Sequence, residues 1–145
     1  MVLKIEKRIG IATAVDTPYE IMADINSWPS WSPIHRSAEG RLGFGAPVRF
    51  EEYYEGLGTW EIAGFVEDWT PLSHIHIRVP KKFYEGSLIR FYEFEILSDN
   101  ACHFTIGAQF SGFLSEREGK RYRKFLREGF DKFAEALKAK AEGAI

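Results

Sequence analysis

Hydrophobic and polar residues alternate along most of the first 113 residues, which is the pattern of strands that bury one face. The alternating segments are 4–15, 34–42, 48–55, 59–69, 74–80, 88–97 and 101–113. Short turns that contain glycine, such as "GFGAP" (43–47) and "GLG" (56–58), separate several of them. Because short links between successive strands favour antiparallel pairing, the pattern predicts an antiparallel sheet of about seven strands.

The link after the first segment carries the signals of a short helix. In "DTPYEIMADI", Asp16 or Thr17 can cap a helix, and Pro18 suits its first turn because no backbone donor is lost there. Glu20 follows Thr17 at the spacing of a capping box. We expect this helix to end before Pro29.

The last part of the chain changes to a helical pattern. From Ser115 to about Glu142 there is no proline, and Ser115 precedes Glu118 at the spacing of a second capping box. Apolar residues recur there every three or four positions, at Tyr122, Phe125, Leu126, Phe130, Phe133 and Leu137. A helix of about 26 residues spans roughly 40 Å, which is enough to cross a sheet. The predicted fold class is therefore α+β, with a curved sheet wrapped around one long C-terminal helix.

Five stretches of sequence, in this order, resemble a known superfamily. They are "IGIATAVDTPYEIMADINSWPSW", "GRLGFGAPVRF", "FVEDWTPLSHIHI", "FYEFEILSDNACHFTIGAQFSG" and "FLREGFDKFAEALKAKAE". Together they resemble the SRPBCC superfamily, the START-like or helix-grip domains, which includes polyketide cyclase/dehydratase-like proteins. The resemblance implies one domain over residues 1–145, with short helices after the first strand. It also implies a deep cavity between the sheet and the long helix for a hydrophobic or amphipathic small molecule, and no single catalytic motif.

Charge and cysteine content narrow the expected partners and location. The chain has a net charge of -2, so it lacks the overall basic character of nucleic-acid-binding proteins. No apolar run approaches the roughly 20 residues that cross a bilayer, so no stable membrane insertion is expected. A single cysteine, Cys102, and an N-terminus without an apolar signal segment indicate a cytoplasmic protein. The oligomeric state is left open.

The alternation of apolar residues also assigns an inner face to each strand. The inward positions are Val48, Phe50, Glu52, Tyr54, Trp60, Ile62, Gly64, Val66, Arg90, Tyr92, Phe94, Ile96, Cys102, Phe104, Ile106, Ala108 and Phe110. Charges at two of these positions, Glu52 and Arg90, must pair or meet a polar ligand. The alternative is a slip of register that leaves either one in solvent. If Arg90 points inward, it is a candidate anchor for a carboxylate or phosphate group.

The segment "DINSWPSWSP" (24–33) raises a separate question, because prolines interrupt two tryptophans, Trp28 and Trp31. Their rings either close one end of the core or form part of a gate for the ligand. The complete predicted ligand-contacting set is Trp28, Trp31, Phe50, Glu52, Tyr54, Trp60, Arg90, Tyr92, Phe104, Phe110, Tyr122 and Phe130. It combines apolar walls with a few polar points, as small-molecule sites do.

Neither a metal nor a cofactor is predicted. His74 and His76 share a strand face, but Arg78 beside them repels a cation and further ligands are not evident. Cys102 and His103 point to opposite faces of a strand, which argues against a nucleophile–base pair. His35 stands alone in the sequence. Nucleotide-binding glycine motifs and a nucleophile elbow are missing from the sequence.

Three functional hypotheses follow. The first is binding or transport of a hydrophobic small molecule such as a lipid, polyketide or aromatic compound. The second is a cyclase- or dehydratase-type enzyme that folds a substrate near Glu52, Arg90 and tyrosine hydroxyls. The third is an interaction or co-chaperone module. Binding is favoured because no acid–base constellation is evident in the sequence, but enzymatic activity is left open.

Overall fold

The computed structural model describes residues 2–143, and its seven strands form one antiparallel sheet. The strands are β1 (Val2–Ile11), β2 (His35–Gly40), β3 (Pro47–Tyr54), β4 (Gly58–Thr70), β5 (His74–Val79), β6 (Ser87–Ser98) and β7 (Ala101–Ser111). Their order across the sheet is β1-β7-β6-β5-β4-β3-β2. Each strand from β2 to β7 therefore lies beside its neighbour in sequence, and β1 closes the far edge against β7. The predicted strand number and pairing are confirmed.

Three α-helices complete the fold within residues 2–143. They are α1 (Asp16–Ala23), α2 (Trp28–Trp31) and α3 (Phe113–Ala141), with 3₁₀ turns at Ile25–Ser27 and Phe83–Glu85. The short helices after the first strand and the long C-terminal helix are as predicted. None of the helices within residues 2–143 is both long enough and apolar enough to cross a membrane.

Helix α3 lies against the concave face of the sheet and completes the core. Its fully buried side chains include Leu126, Phe130, Phe133 and Leu137, which recur at helical spacing. They pack against the inward side chains of the strands, among them Phe50 and Phe104. The predicted helix-grip architecture is confirmed.

The predicted capping boxes are wrong. Val15 precedes α1 without a side-chain cap, so Thr17 lies inside the helix. Helix α3 begins at Phe113, directly after Gly112, so Ser115 lies in its first turn instead of capping it. The Ser115 hydroxyl instead donates to the backbone oxygen of Ser87 at 2.7 Å. Tertiary contacts at the end of β7 thus decide where α3 starts.

The inward assignment also fails near strand ends. Ile96 was predicted inward but is 61% exposed, because the β6–β7 hairpin extends beyond the core and its pairing shifts between Ile96 and Ser98. In β4 a bulge between Val66 and Asp68 interrupts the alternation.

Candidate functional site

The centre of the inner face holds a buried ion pair between strands that are not neighbours. Arg90 on β6 donates from Nη1 to Glu52 Oε1 at 2.6 Å and from Nη2 to Glu52 Oε2 at 2.9 Å. Both side chains are fully buried. They point inward, as the alternating pattern indicates, so the alternative of a slipped register does not apply. Strands β4 and β5 lie between them, so the pair spans the hollow of the curved sheet.

Further polar side chains surround the carboxylate of Glu52. The Tyr54 hydroxyl donates to Glu52 Oε1 at 2.6 Å. His35 Nε2 lies 3.2 Å from Glu52 Oε2, a close polar contact that does not meet the geometry of a hydrogen bond. On its other side, His35 Nδ1 is hydrogen-bonded to Ser32 Oγ at 2.6 Å. Together with Tyr92, these residues form what we call the buried polar cluster: Ser32, His35, Glu52, Tyr54, Arg90 and Tyr92.

The expectation that His35 stands alone is wrong. The chain leaves α2 at Ser32 in an extended conformation, and Ser32 Oγ also accepts the backbone N–H of Ile34 at 3.3 Å. His35 then begins β2 directly opposite Glu52 on β3. A bulge follows between His35 and Ser37, so the phase of β2 could not be extended back to His35 from the sequence.

Electrostatics hold most of the cluster in a single protonation state near neutral pH. Burial by itself would raise the pKa of Glu52, but the charge of Arg90 and hydrogen bonds to the carboxylate outweigh burial and hold that pKa far below its usual range. Burial and the Glu52 charge raise the pKa of Tyr54. Burial also raises the pKa of Tyr92, although Arg90 opposes it. Glu52 therefore stays ionised, and both tyrosines stay protonated hydrogen-bond donors.

Aromatic rings enclose the guanidinium of Arg90. Its central carbon lies 5.4 Å from the ring centre of Phe50, 5.5 Å from that of Trp60 and 5.0 Å from that of Phe130. Cation–π attraction thus supplements the ion pair in a desolvated setting.

The two tryptophans pack into the same region. Trp28 is fully buried, and its Nε1 donates to the backbone oxygen of Met22 at 3.1 Å. Its ring centre lies 5.0 Å from that of His35 and 5.4 Å from that of Tyr92. The ring centre of Trp31 lies 5.0 Å from that of Phe133 of α3, with the two ring planes tilted by 50°. In this conformation both rings are part of the core, and a gating movement stays a prediction.

Several buried polar atoms of this region lack a hydrogen-bond partner among residues 2–143. They include Arg90 Nε, Tyr92 Oη and Trp31 Nε1. The large majority of buried polar side-chain atoms in proteins are hydrogen-bonded, to protein or to ordered water. These three atoms are therefore positions where a water molecule or a polar atom of a ligand would be stabilised.

Helix α3 lies closer to the sheet than the sequence suggested. A Cβ added at Gly129 would lie 2.3 Å from Cε1 of Tyr54, and one added at Gly119 would lie 2.7 Å from Cδ2 of Phe110. Side chains thus close the space under α3 at both points, where an open trough was expected. Pockets of about 470 and about 600 Å³ within residues 2–143 are lined elsewhere, on the outer face of β1, β6 and β7 and beside the β2–β3 hairpin.

The remaining residues of the predicted ligand-contacting set differ in how close they lie to the buried polar cluster. Phe104 joins the cluster side of the core, with its ring centre 6.2 Å from that of Phe133. Tyr122 is only partly buried and lies 6.0 Å from Trp60 between ring centres. Phe110 packs under Gly119. Gly119 precedes Gly129 by ten residues, so the two glycines lie about 15 Å apart along the axis of α3. Phe110 is the predicted contact that the fold separates from the cluster.

The sequence matches no family model and no curated protein, whereas solved structures match it over nearly its whole length. A START superfamily protein from Mycobacterium smegmatis superposes with a TM-score of 0.74 at 15% identity, covering 98% of this chain and 99% of that chain. The Zhui aromatase/cyclase from Streptomyces sp. R1128 gives 0.72 at 17% identity, covering 98% and 94%. A truncated norcoclaurine synthase from Thalictrum flavum gives 0.72 at 11% identity, covering 99% and 95%. At such identities the likeness concerns the fold, and this chain has the START-like, helix-grip fold that these aromatase/cyclases also adopt.

Proposed function

We propose that this protein binds a hydrophobic or amphipathic small molecule between the sheet and α3, beside the buried polar cluster. The observation that carries the proposal is the fully buried Glu52–Arg90 pair with unpartnered polar atoms next to it. Burying two charges costs several kcal/mol per ion before pairing, and apolar side chains would fill a purely structural core at least as well. Binding of a ligand through fixed hydrogen-bond donors would explain why polar residues are buried here.

The pairing of Arg90 changes the ligand chemistry suggested by the sequence. Both terminal nitrogens of Arg90 are already bound to Glu52, so the pair carries no net charge. A carboxylate or phosphate ligand would have to displace Glu52. Arg90 Nε and the Tyr92 hydroxyl can donate instead to a carbonyl or hydroxyl oxygen of an uncharged ligand, while the aromatic rings contact its apolar part.

Binding also requires a local movement, because Gly129 and Gly119 let α3 rest directly on Tyr54 and Phe110. A ligand therefore enters by displacing rings or the helix in this region. The residues proposed to contact it are Trp28, Trp31, Phe50, Glu52, Tyr54, Trp60, Arg90, Tyr92, Phe104, Tyr122 and Phe130, without Phe110, which lies away from the cluster. Cytoplasmic location, suggested by the lone Cys102, stays a prediction.

Quenching of tryptophan fluorescence tests the proposal, because Trp28 and Trp60 lie beside the cluster. We expect saturable quenching by 2-acetylnaphthalene, a neutral ketone, and weaker quenching by 2-naphthoate. Tyr92→Phe removes one donor and should weaken binding of the ketone about tenfold. Tyr53→Phe, at an exposed position of β3, is the matched control and should bind as the original protein does.

Failure to quench, or equal losses in the Tyr92 and Tyr53 variants, would contradict this site. Native mass spectrometry of protein purified without stripping gives independent information, because a retained molecule identifies the ligand class directly.

Enzymatic activity of the cyclase or dehydratase type is the second candidate function. The position of His35 favours it, because His35 is hydrogen-bonded to Ser32 and lies 3.2 Å from Glu52, and histidine is the side chain most often used for proton transfer. Glu52 and the tyrosines are held in one protonation state, which leaves His35 as the candidate acid–base group. A His35→Gln variant that retains ligand binding but loses product formation from a poly-β-keto substrate would support an enzyme. Unchanged product formation would exclude this role.

A further inference from the structure

Exposed apolar side chains gather at one end of the molecule. Phe83 is 97% exposed, Tyr84 57%, Phe113 79% and Leu114 43%. The first two form the 3₁₀ turn between β5 and β6, and the other two begin α3. We call these four residues the apolar tip. Because large apolar groups in water are unfavourable, a contiguous exposed group of them marks a surface that another phase or partner covers.

The two segments of the tip are held together by specific contacts. Gly86 and Gly112, both with positive φ, touch so closely that a Cβ added at Gly112 would lie 2.9 Å from Cα of Gly86. Ser115 Oγ donates to the backbone oxygen of Ser87 at 2.7 Å. Lys81 Nζ lies 3.2 Å from Glu118 Oε1. These contacts hold the turn at Phe83–Glu85 and the start of α3 side by side, so the apolar tip is an ordered part of the surface.

A row of positive charge continues from the tip along α3. Arg117, Lys120, Lys124 and Arg127 are exposed and recur every three or four residues, on the face that also carries Phe113. We call them the basic stripe. Within residues 2–143, the salt bridges of α3 involve other side chains. Segments 81–86 and 113–127 together hold eight basic and three acidic residues, although the whole chain has a net charge of -2.

We propose that the apolar tip and the basic stripe dock this protein on the surface of an anionic lipid bilayer. Aromatic rings are favoured at the boundary between headgroups and acyl chains, and arginine and lysine are attracted to anionic headgroups. The charge asymmetry matches such a surface better than it matches a second copy of this chain, because two basic stripes would repel each other. In this arrangement the protein binds the bilayer surface without crossing it. The proposal does not depend on the proposed ligand site.

Flotation with lipid vesicles tests the inference on the intact protein. We expect binding to phosphatidylcholine vesicles that contain phosphatidylglycerol, weaker binding at high salt, and little binding to phosphatidylcholine alone. Phe83→Ser combined with Phe113→Ser should reduce binding at least about tenfold, because two rings no longer enter the interface. Lys120→Gln combined with Lys124→Gln should reduce it about fivefold for each charge removed.

Matched controls use exposed residues elsewhere on the molecule. Ile96→Ser with Leu97→Ser alters the other end of β6, about 30 Å from Ser87, and should leave binding unchanged. Lys132→Gln removes a charge from α3 outside the basic stripe and should also have no effect. Circular dichroism verifies that each variant is folded.

Three outcomes would overturn the inference. They are equal binding to neutral and anionic vesicles, no vesicle binding, and equal losses in the control variants. A dimer that the Phe83/Phe113 variant dissociates, without any vesicle binding, would assign the tip to self-association instead. The ligand experiments on Tyr92 are unaffected by any of these outcomes.

Discussion

Arginine–glutamate pairs connect strands on both faces of this sheet, and comparing one pair from each face shows what burial does. Arg90 and Glu52 are fully buried on the inner face, whereas Arg78 and Glu67 on the outer face are each about one-third exposed, at 36% and 35%. The closest distances are similar, at 2.6 Å and 2.9 Å. The inner pair makes two hydrogen bonds and the outer pair one, but the larger difference lies in their surroundings.

Their surroundings make them different. Water competes for the outer pair, so such a pair contributes about 0–1 kcal/mol. The inner pair has lost its water and depends on its partners, so removing one partner leaves an uncompensated charge. An arginine–glutamate pair therefore matters little for stability on the outer face and much on the inner face, because only the inner pair is buried.

The largest expected effect is the loss of one member of the inner pair. Arg90→Met should lower the free energy of unfolding by about 3–5 kcal/mol, because Glu52 remains buried without its cation. Arg78→Met, the matched change on the outer face, should lower it by less than about 1 kcal/mol. Urea denaturation of both variants measures this difference. Similar losses in the two variants would mean that burial does not distinguish the pairs.

Removing both inner charges should restore most of that loss. In Glu52→Gln combined with Arg90→Met, the new amide oxygen can still accept the hydrogen bond from Tyr54, and no charge remains buried. We expect a free energy of unfolding within about 2 kcal/mol of the original protein, since neutral replacements of buried ion pairs are often tolerated. If the double variant is as unstable as Arg90→Met alone, the damage comes from lost side-chain contacts and not from the orphaned charge.

The sequence predicted much of this arrangement, and the limits have physical causes. Alternation along β3 and β6 placed Glu52 and Arg90 on the inner face correctly, because the period of a strand is a local property. Their pairing could not be predicted, since it depends on how far the sheet curves across β4 and β5. His35 was missed because it follows an irregular segment and precedes a bulge.

The depth of the trough also escaped prediction. From sequence alone, a glycine within a helical pattern indicates only a residue of low helix propensity. In the fold, Gly119 and Gly129 are what allow α3 to touch Phe110 and Tyr54. Whether a cavity is open depends on such contacts between distant segments. The sequence therefore predicted that α3 lies against the sheet, but not how much space remains between them.

A substitution at Gly129 tests how tightly the inner face is packed. Gly129→Ala should improve helix propensity by about 1 kcal/mol, but its Cβ would lie 2.3 Å from Tyr54 Cε1. Overpacking of this kind typically costs about 1–3 kcal/mol, so we expect a net loss of stability in thermal unfolding. Glu128→Ala, on the exposed side of α3, is the control and should be nearly neutral. A stabilised Gly129→Ala would indicate that free space exists beside Tyr54.

The smallest expected effect distinguishes the two faces by their response to acid. In the unfolded chain Glu52 takes up a proton near its ordinary pKa of 4.5, whereas in the fold its pKa is held far lower by Arg90. The unfolded state therefore binds more protons as the pH falls, so the stability that Glu52 contributes is complete above about pH 5 and is lost progressively below it. The free energy of unfolding of the original protein should fall below about pH 4.5 more steeply than that of the Glu52→Gln/Arg90→Met variant, by about 1.4 kcal/mol per pH unit. Parallel curves for the original protein and the double variant would show that the inner pair does not keep Glu52 ionised, and the contrast between the two faces would then disappear.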